Sequence, residues 1–97
     1  MKIYYVYILL CSDDSYYTGV TNNIERRIKE HNSESKETSY TYSRRPVELV
    51  YIEEFQNPND AICREKQIKG WTRNKKIALI NSSNELLKEL SKKKFNS

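Results

Sequence analysis

Apolar residues are unevenly spaced along the chain, and the spacing changes character several times. Residues 3–11, Ile-Tyr-Tyr-Val-Tyr-Ile-Leu-Leu-Cys, are an unbroken run of β-branched, aromatic and aliphatic side chains. Such a run predicts a strand covered on both faces. Ser12 to Ser15 is a polar turn and Tyr16 to Thr21 a second short strand, which makes a hairpin the economical connection. Asn22 and Asn23 offer an N-cap, with Glu25 in the first turn of a helix running to about His31. Residues 32–45 are polar, lack periodicity, end in Arg44-Arg45-Pro46, and read as a loop. Val47 to Phe55 is a third strand. A helix begins at Asn57-Pro58 or Asn59-Asp60 and stops at Gly70, which is expected in the left-handed cap position. Thr72 caps a helix over 73–80. Ser82 and Glu85 have capping-box spacing ahead of Leu86, Leu87 and Leu90, so a last helix is expected from Ser82 into a frayed, lysine-rich end.

The order β-β-α-β-α-α-α predicts an α+β domain, a small three-stranded antiparallel sheet packed by helices. A length of 97 residues allows one compact core and not two. The expected division is a domain over 1–81 followed by a C-terminal helix and basic tail over 82–97.

Charge is locally concentrated. Lys and Arg number 17 against 13 Asp and Glu, a net +4. Residues 88–97 hold Lys88, Lys92, Lys93 and Lys94 against Glu89 and so carry +3 of it, leaving +1 for residues 1–87. Residues 61–80 nevertheless hold six basic groups against the single acid Glu65. A basic face on a near-neutral body suits a polyanion partner, although solubility alone also explains basic surfaces. Cys11 and Cys63 are too few for a disulfide framework and lack metal-ligand spacing, so buried thiols in a reducing cytosol are expected. Lys2 and the run after it imitate a signal peptide but lack a small-residue cleavage site, and no stretch approaches the ~20 apolar residues that cross a bilayer. The expected location is the cytoplasm, with no membrane partner.

Two polar intrusions interrupt the apolar stripes. Ile24, Arg27, Ile28 and His31 fall at i, i+3, i+4 and i+7, which puts a guanidinium and an imidazole on the face that carries the isoleucines. They either flank the stripe and snorkel to water or are held inward for chemistry. Ala61, Ile62, Glu65 and Ile68 place a carboxylate in a second stripe, where it must be paired, neutral or bound to a cation. Lys69, four residues on, is one partner. A Mg²⁺ ion, which keeps several waters and takes one or two carboxylates, is another. Eight tyrosines are many for this length, and Tyr4, Tyr5, Tyr7, Tyr16 and Tyr17 crowd the hairpin. Alternation puts Tyr5 and Tyr7 on one strand face and Tyr4 on the other. Core packing accounts for such tyrosines, and neighbouring cations could also tune their hydroxyls. The chain contains no Gly-rich phosphate loop, no H-E-x-x-H and no C-x-x-C, which removes P-loop NTPases, zincins and zinc ribbons.

Taken together, these residues resemble the GIY-YIG nuclease superfamily, in particular its small stand-alone bacterial members. The first motif stands as Tyr5-Val6-Tyr7 and the second as Tyr17-Thr18-Gly19, with E-R-R-I-K-E-H-N over 25–32, R-R-P-V-E-L-V-Y over 44–51 and R-E-K-Q-I-K-G-W over 64–71. Tyr5 replaces the first-motif glycine, and Val20 stands where some branches carry a lysine. The resemblance implies a divalent-metal-dependent endonuclease acting on DNA in repair or recombination. Tyr7 and Tyr17 would face the scissile phosphate, Arg27 would stabilise its growing charge, and His31 would assist proton transfer or hold the water. Glu65 would bind a single Mg²⁺ or Mn²⁺. These five side chains are expected to converge on one partly exposed cleft. Arg26, Arg44, Arg45, Lys66, Lys69, Arg73 and Lys75 would hold the DNA backbone, and exposed tyrosines would stack on unpaired bases of branched, flapped or single-stranded substrates. The rival readings are a nucleic-acid-binding module of nuclease-derived fold and a catalytic subunit that depends on a partner protein.

Overall fold

The structure is a computed structural model that describes residues 2–33 and 41–82. Three strands, β1 (Tyr4–Leu10), β2 (Tyr16–Thr21) and β3 (Glu48–Phe55), form one antiparallel sheet in the order β2-β1-β3. Three α-helices accompany it: α1 (Ile24–Asn32), α2 (Pro58–Lys69) and α3, over 73–82. The central strand is the apolar run of the sequence, and its two faces build two separate cores. Val6 and Ile8 pack with Tyr51, Ala61, Ile68 and Ile80 against α2 and α3. Tyr7 and Leu9 pack with Cys11, Val47, Ile24 and Ile28 against α1. All four β1 residues are fully buried. Burial of each aliphatic one contributes ~1.5–3 kcal/mol, so β1 is the mechanical centre of the domain.

Polar side chains fix how the elements meet. Asp13 accepts hydrogen bonds from the Ser15 backbone and hydroxyl at 3.1 and 2.6 Å, closing the hairpin turn and carrying Asp14 into the left-handed region at φ 65°. Arg44 pairs with Asp13 at 2.9 Å, and its carbonyl accepts from Ser12 N at 2.9 Å, which clasps the segment before β3 to the hairpin. Asn23 caps α1 by accepting from Arg26 N at 3.1 Å. At the other end Asn32 accepts from Val47 N at 2.8 Å, tying α1 to the entry of β3. Asn57 caps α2 with Pro58 in its first turn, and Thr72 accepts from Lys75 N at 3.3 Å to cap α3.

Several expectations change. Gly70 is right-handed, with φ −78° and ψ −7°, because its N–H continues the helical pattern onto the Lys66 and Gln67 carbonyls. The left-handed residue is Asp14 instead. A short 3-10 turn, Tyr42–Arg44, lies within the stretch read as loop. Ile62 is exposed, at 41% of its accessible area, because rotating α2 to seat Ala61 and Ile68 turns Ile62 off the stripe. Cys11 is buried as expected but Cys63 is exposed. Residue 82 continues α3 where a new helix was expected to begin, and the remainder of that helix and the basic tail lie outside the described residues.

Candidate active site

The hairpin and α1 bring four of the five expected site residues together on one side of the sheet. Tyr7 projects from β1 toward α1, directly across from Gly19 of β2. Its ring lies so close to that backbone that a Cβ at Gly19 would fall 2.6 Å from Tyr7 Cζ. The second-motif glycine is therefore the space in which the first-motif tyrosine sits. Tyr17, two residues along β2, has its ring centroid 6.3 Å from that of Tyr7 and 4.9 Å from that of His31. Helical spacing delivers Arg27 and His31 to the same face as Ile24 and Ile28.

Burial separates these four into two layers. Tyr7 is fully buried and His31 is 7% exposed, and they share a hydrogen bond of 3.0 Å between Tyr7 Oη and His31 Nε2. Tyr7 is thus held behind the surface. Tyr17 and Arg27 are half-buried and form the accessible layer. Arg27 Nε lies 3.0 Å from Glu30 Oε1, out of line for a hydrogen bond. Burial pushes the Tyr7 phenol well above its usual range, and the charge of an ionised Tyr17 would add to that push. The Arg27 guanidinium opposes both but does not overcome them. Tyr7 accordingly stays a phenol at ordinary pH and serves as a hydrogen-bonding group.

Behind His31 stands a residue that sequence reasoning missed. Thr41, fully buried, has its hydroxyl 2.8 Å from His31 Nδ1 and 3.4 Å from the His31 carbonyl. It lies in an aperiodic polar stretch ten residues from His31, so no local pattern marks it. It is placed by the clasp of Arg44 to the hairpin, since Arg44 N bonds the Thr41 carbonyl at 3.0 Å.

Glu65 sits on α2, which packs against the other face of the sheet, chiefly on β1 and β2. Its side chain is 14% exposed in the stripe between Ala61 and Ile68, and its carboxylate pairs with Lys69 at 2.9 Å. No hydrogen bond, ion pair or ring contact among the described residues joins it to the other four. The donor chemistry nonetheless suits a hard cation. A single carboxylate, with no cluster of three potential ligands among the described residues, fits Mg²⁺ or Mn²⁺ carrying most of its own waters and does not fit a zinc site. The half-exposed Lys69 head is able to move aside.

The expected backbone-binding residues are distributed over both faces. Arg26 lines a cavity of about 430 Å³ with Lys2, Tyr5, Asn22 and Asn23, beside the start of α1. Arg44 is committed to Asp13 and Lys69 to Glu65. Arg73 reaches back to the Asp14 carbonyl and lies over the Tyr16 ring at 4.7 Å, and Lys75 lies over Trp71 at 4.4 Å. Lys66 is exposed and Arg45 half-buried.

Similarity to known proteins follows the same elements. The UPF0213 protein CPE1444 of Clostridium perfringens (strain 13 / Type A) is 55% identical over 78 residues, covering 80% of this chain and 83% of its own. Two solved structures share the fold. The solution structure of EF2693 from E. faecalis has a TM-score of 0.62 at 36% identity, covering 87% of this chain and 88% of its own. That of the UPF0213 protein BH0048 from Bacillus halodurans has a TM-score of 0.54 at 40% identity, covering 81% and 83%. Residues 3–78 match the GIY-YIG catalytic domain, a span that takes in both cores, the hairpin tyrosines, Arg27, His31 and Glu65. The chain belongs to the GIY-YIG family.

Proposed function

We propose that the protein is a divalent-metal-dependent endonuclease that hydrolyses DNA phosphodiester bonds, directed by strand structure, in cytoplasmic repair or recombination. Its family is of nuclease type, and the observation that carries the finer reading is the two-layered cluster on the α1 face. A half-buried phenol and a half-buried guanidinium stand over a buried Tyr7–His31 pair. In this reading Tyr17 orients the attacking water, and Arg27 stabilises charge growing on the phosphate oxygens. Tyr7 and His31 hold that surface layer in register from behind. Glu65 would hold Mg²⁺ or Mn²⁺, which supplies charge neutralisation at the leaving oxygen when bound. The Arg26 groove offers two cations, two amides and the Tyr5 ring to an adjacent nucleotide, which favours substrates with unpaired bases. Residues 1–81 would carry the chemistry, and the 82–97 tail would add backbone affinity.

One observation favours a second reading. The Glu65–Lys69 pair satisfies the carboxylate without a metal, as expected of a nucleic-acid-binding module that has kept the fold. The deciding experiment incubates the protein with branched, nicked and single-stranded DNA in Mg²⁺, Mn²⁺ or EDTA. Metal-dependent products that vanish in Arg27→Ala and Glu65→Ala support the endonuclease. Binding without products under every metal condition supports the module, or a subunit that cleaves only with a partner protein.

A further inference from the structure

Ile62 is exposed on α2, although Ala61 and Ile68 of the same helix fill the core. With Tyr4, Val20 and Pro58 it lines a cavity of about 220 Å³ on the α2 side of the sheet. Asn22 borders both this cavity and the 430 Å³ cavity of Lys2, Tyr5 and Arg26. The two therefore meet at the open end of the hairpin, where β1 begins and β2 ends. We propose that together they form one nucleotide subsite: Lys2 and Arg26 hold a DNA phosphate, and the unpaired base beside it turns over the end of the hairpin into the apolar cavity. The proposal rests on the reading of the protein as a DNA nuclease and says what the strand does next to the reacting phosphate.

The two ends differ in chemistry as a phosphate and a base differ. Lys2 and Arg26 are exposed, and neither has an ion-pair partner among the described residues, whereas Arg44 and Lys69 are committed to carboxylates. Among the described residues no acid lines either cavity. A phosphate is thus attracted and meets no opposing charge. The other end offers the Tyr4 ring and the aliphatic surfaces of Val20, Pro58 and Ile62, which suit the flat face of a base. The Thr21 hydroxyl is spent on the Asn23 backbone, so the Asn22 amide is the side chain left to meet the polar edge of a base, as donor and acceptor. At about 220 Å³ the apolar end is smaller than the ~300–1,000 Å³ of pockets for drug-sized ligands, which gives room for one base and not for a peptide segment.

The subsite is also in reach of the cluster. Tyr5 and Tyr7 share a face of β1 about 7 Å apart along the strand, close to one nucleotide step, and Arg26 precedes Arg27 on α1. A base that turns over the end of the sheet has left its stack, and a paired base in a duplex cannot do so. Single strands and flaps are the substrates that fill both ends.

The test is binding, not cleavage, and uses ¹H–¹⁵N correlation spectra of the full chain in EDTA at low salt. The probes are a short thymidine oligonucleotide, its base-free sugar–phosphate analogue and a matched duplex. The thymidine strand should shift the amides of Arg26, Asn22, Val20 and Ile62, while the base-free strand and the duplex should shift the Arg26 end alone. Tyr4→Leu keeps an apolar side chain against the core and removes the flat ring. It should weaken thymidine binding at least about fivefold and leave base-free binding unchanged. Ile62→Gln, at an exposed position, should act in the same direction. Arg26→Gln should weaken both strands alike. Thymidine shifts confined to the Arg26 end, or equal affinity for the thymidine and base-free strands, overturn the base pocket and leave the nuclease reading standing. Shifts at Val20 and Ile62 that follow protein concentration without DNA make the apolar end a contact between copies of the chain and also overturn it. No binding of any of the three probes removes the subsite and the nuclease reading together.

Discussion

Tyr7 shows how one side chain serves both packing and hydrogen bonding. Its ring fills the space opposite Gly19, and its hydroxyl keeps a buried imidazole partnered. Because burial raises the folded-state pKa of this phenol, the sign of its linkage to stability is fixed. Below pH ~10, where the unfolded phenol also keeps its proton, the contribution is fully present. Above it the unfolded state loses a proton that the folded state retains, so stability falls as pH rises. Tyr51, raised by burial and by the Glu53 carboxylate, acts in the same direction. Denaturant unfolding between pH 8 and 12 should therefore show stability declining above about pH 10. Tyr7→Phe should flatten that decline while lowering stability at pH 8 through the lost His31 bond. A Tyr7→Phe profile parallel to the wild type would show that the phenol titrates alike in both states.

Among the elements, Gly70 distinguishes two accounts of how α2 ends. A left-handed cap would make alanine costly, but the observed backbone is right-handed, and a Cβ would meet the Gln67 and Lys66 carbonyls at 3.5 and 3.8 Å, ordinary van der Waals contact. Gly70→Ala should then be neutral or stabilising by ~0.4–1 kcal/mol, through the unfolded chain's reduced freedom, measured by urea unfolding. Destabilisation by more than ~1 kcal/mol would restore the left-handed account. The same contrast explains what sequence could and could not reveal. The caps at Asn23, Asn57 and Thr72 were legible because capping is local chemistry between a side chain and a backbone group two or three residues on. The two-faced burial of β1 was legible because an unbroken apolar run has only that explanation in a short strand. Arg27, His31 and Glu65 stood out as polar groups in apolar stripes. Thr41 did not, since its position depends on the Arg44–Asp13 clasp across the fold. Nor did the left-handed turn at Asp14, which depends on the Asp13–Ser15 hydrogen bonds. Nothing in residue spacing shows that Tyr7 and Tyr17 occupy different depths, because depth depends on which neighbours close over each ring.

At the scale of the molecule, the sheet divides the chemistry. Tyr7, Tyr17, Arg27 and His31 lie with α1, whereas Glu65 and most of the 61–80 basic residues lie with α2 and α3. Arg73, at the hairpin end, reaches the Asp14 carbonyl and covers Tyr16, the chain neighbour of Tyr17. The role of Glu65 is thus the pivot of the whole functional reading, and it can be tested without DNA. If Glu65 is a metal carboxylate, a divalent ion binds the folded state and raises its stability by RT ln(1 + [L]/Kd), about 2.7 kcal/mol at a hundredfold excess over Kd. Glu65→Gln keeps the side chain's shape and removes the charge, so this increment should vanish while the fold remains. If Glu65 is only the partner of Lys69, the substitution should cost ~0.3–0.5 kcal/mol, and metal should do nothing specific to the wild type. Melting of both proteins across a Mg²⁺ and a Mn²⁺ titration, at constant ionic strength, separates the two. A rise in Tm confined to the wild type is the expected result, and equal responses in both proteins would leave Glu65 a structural ion pair.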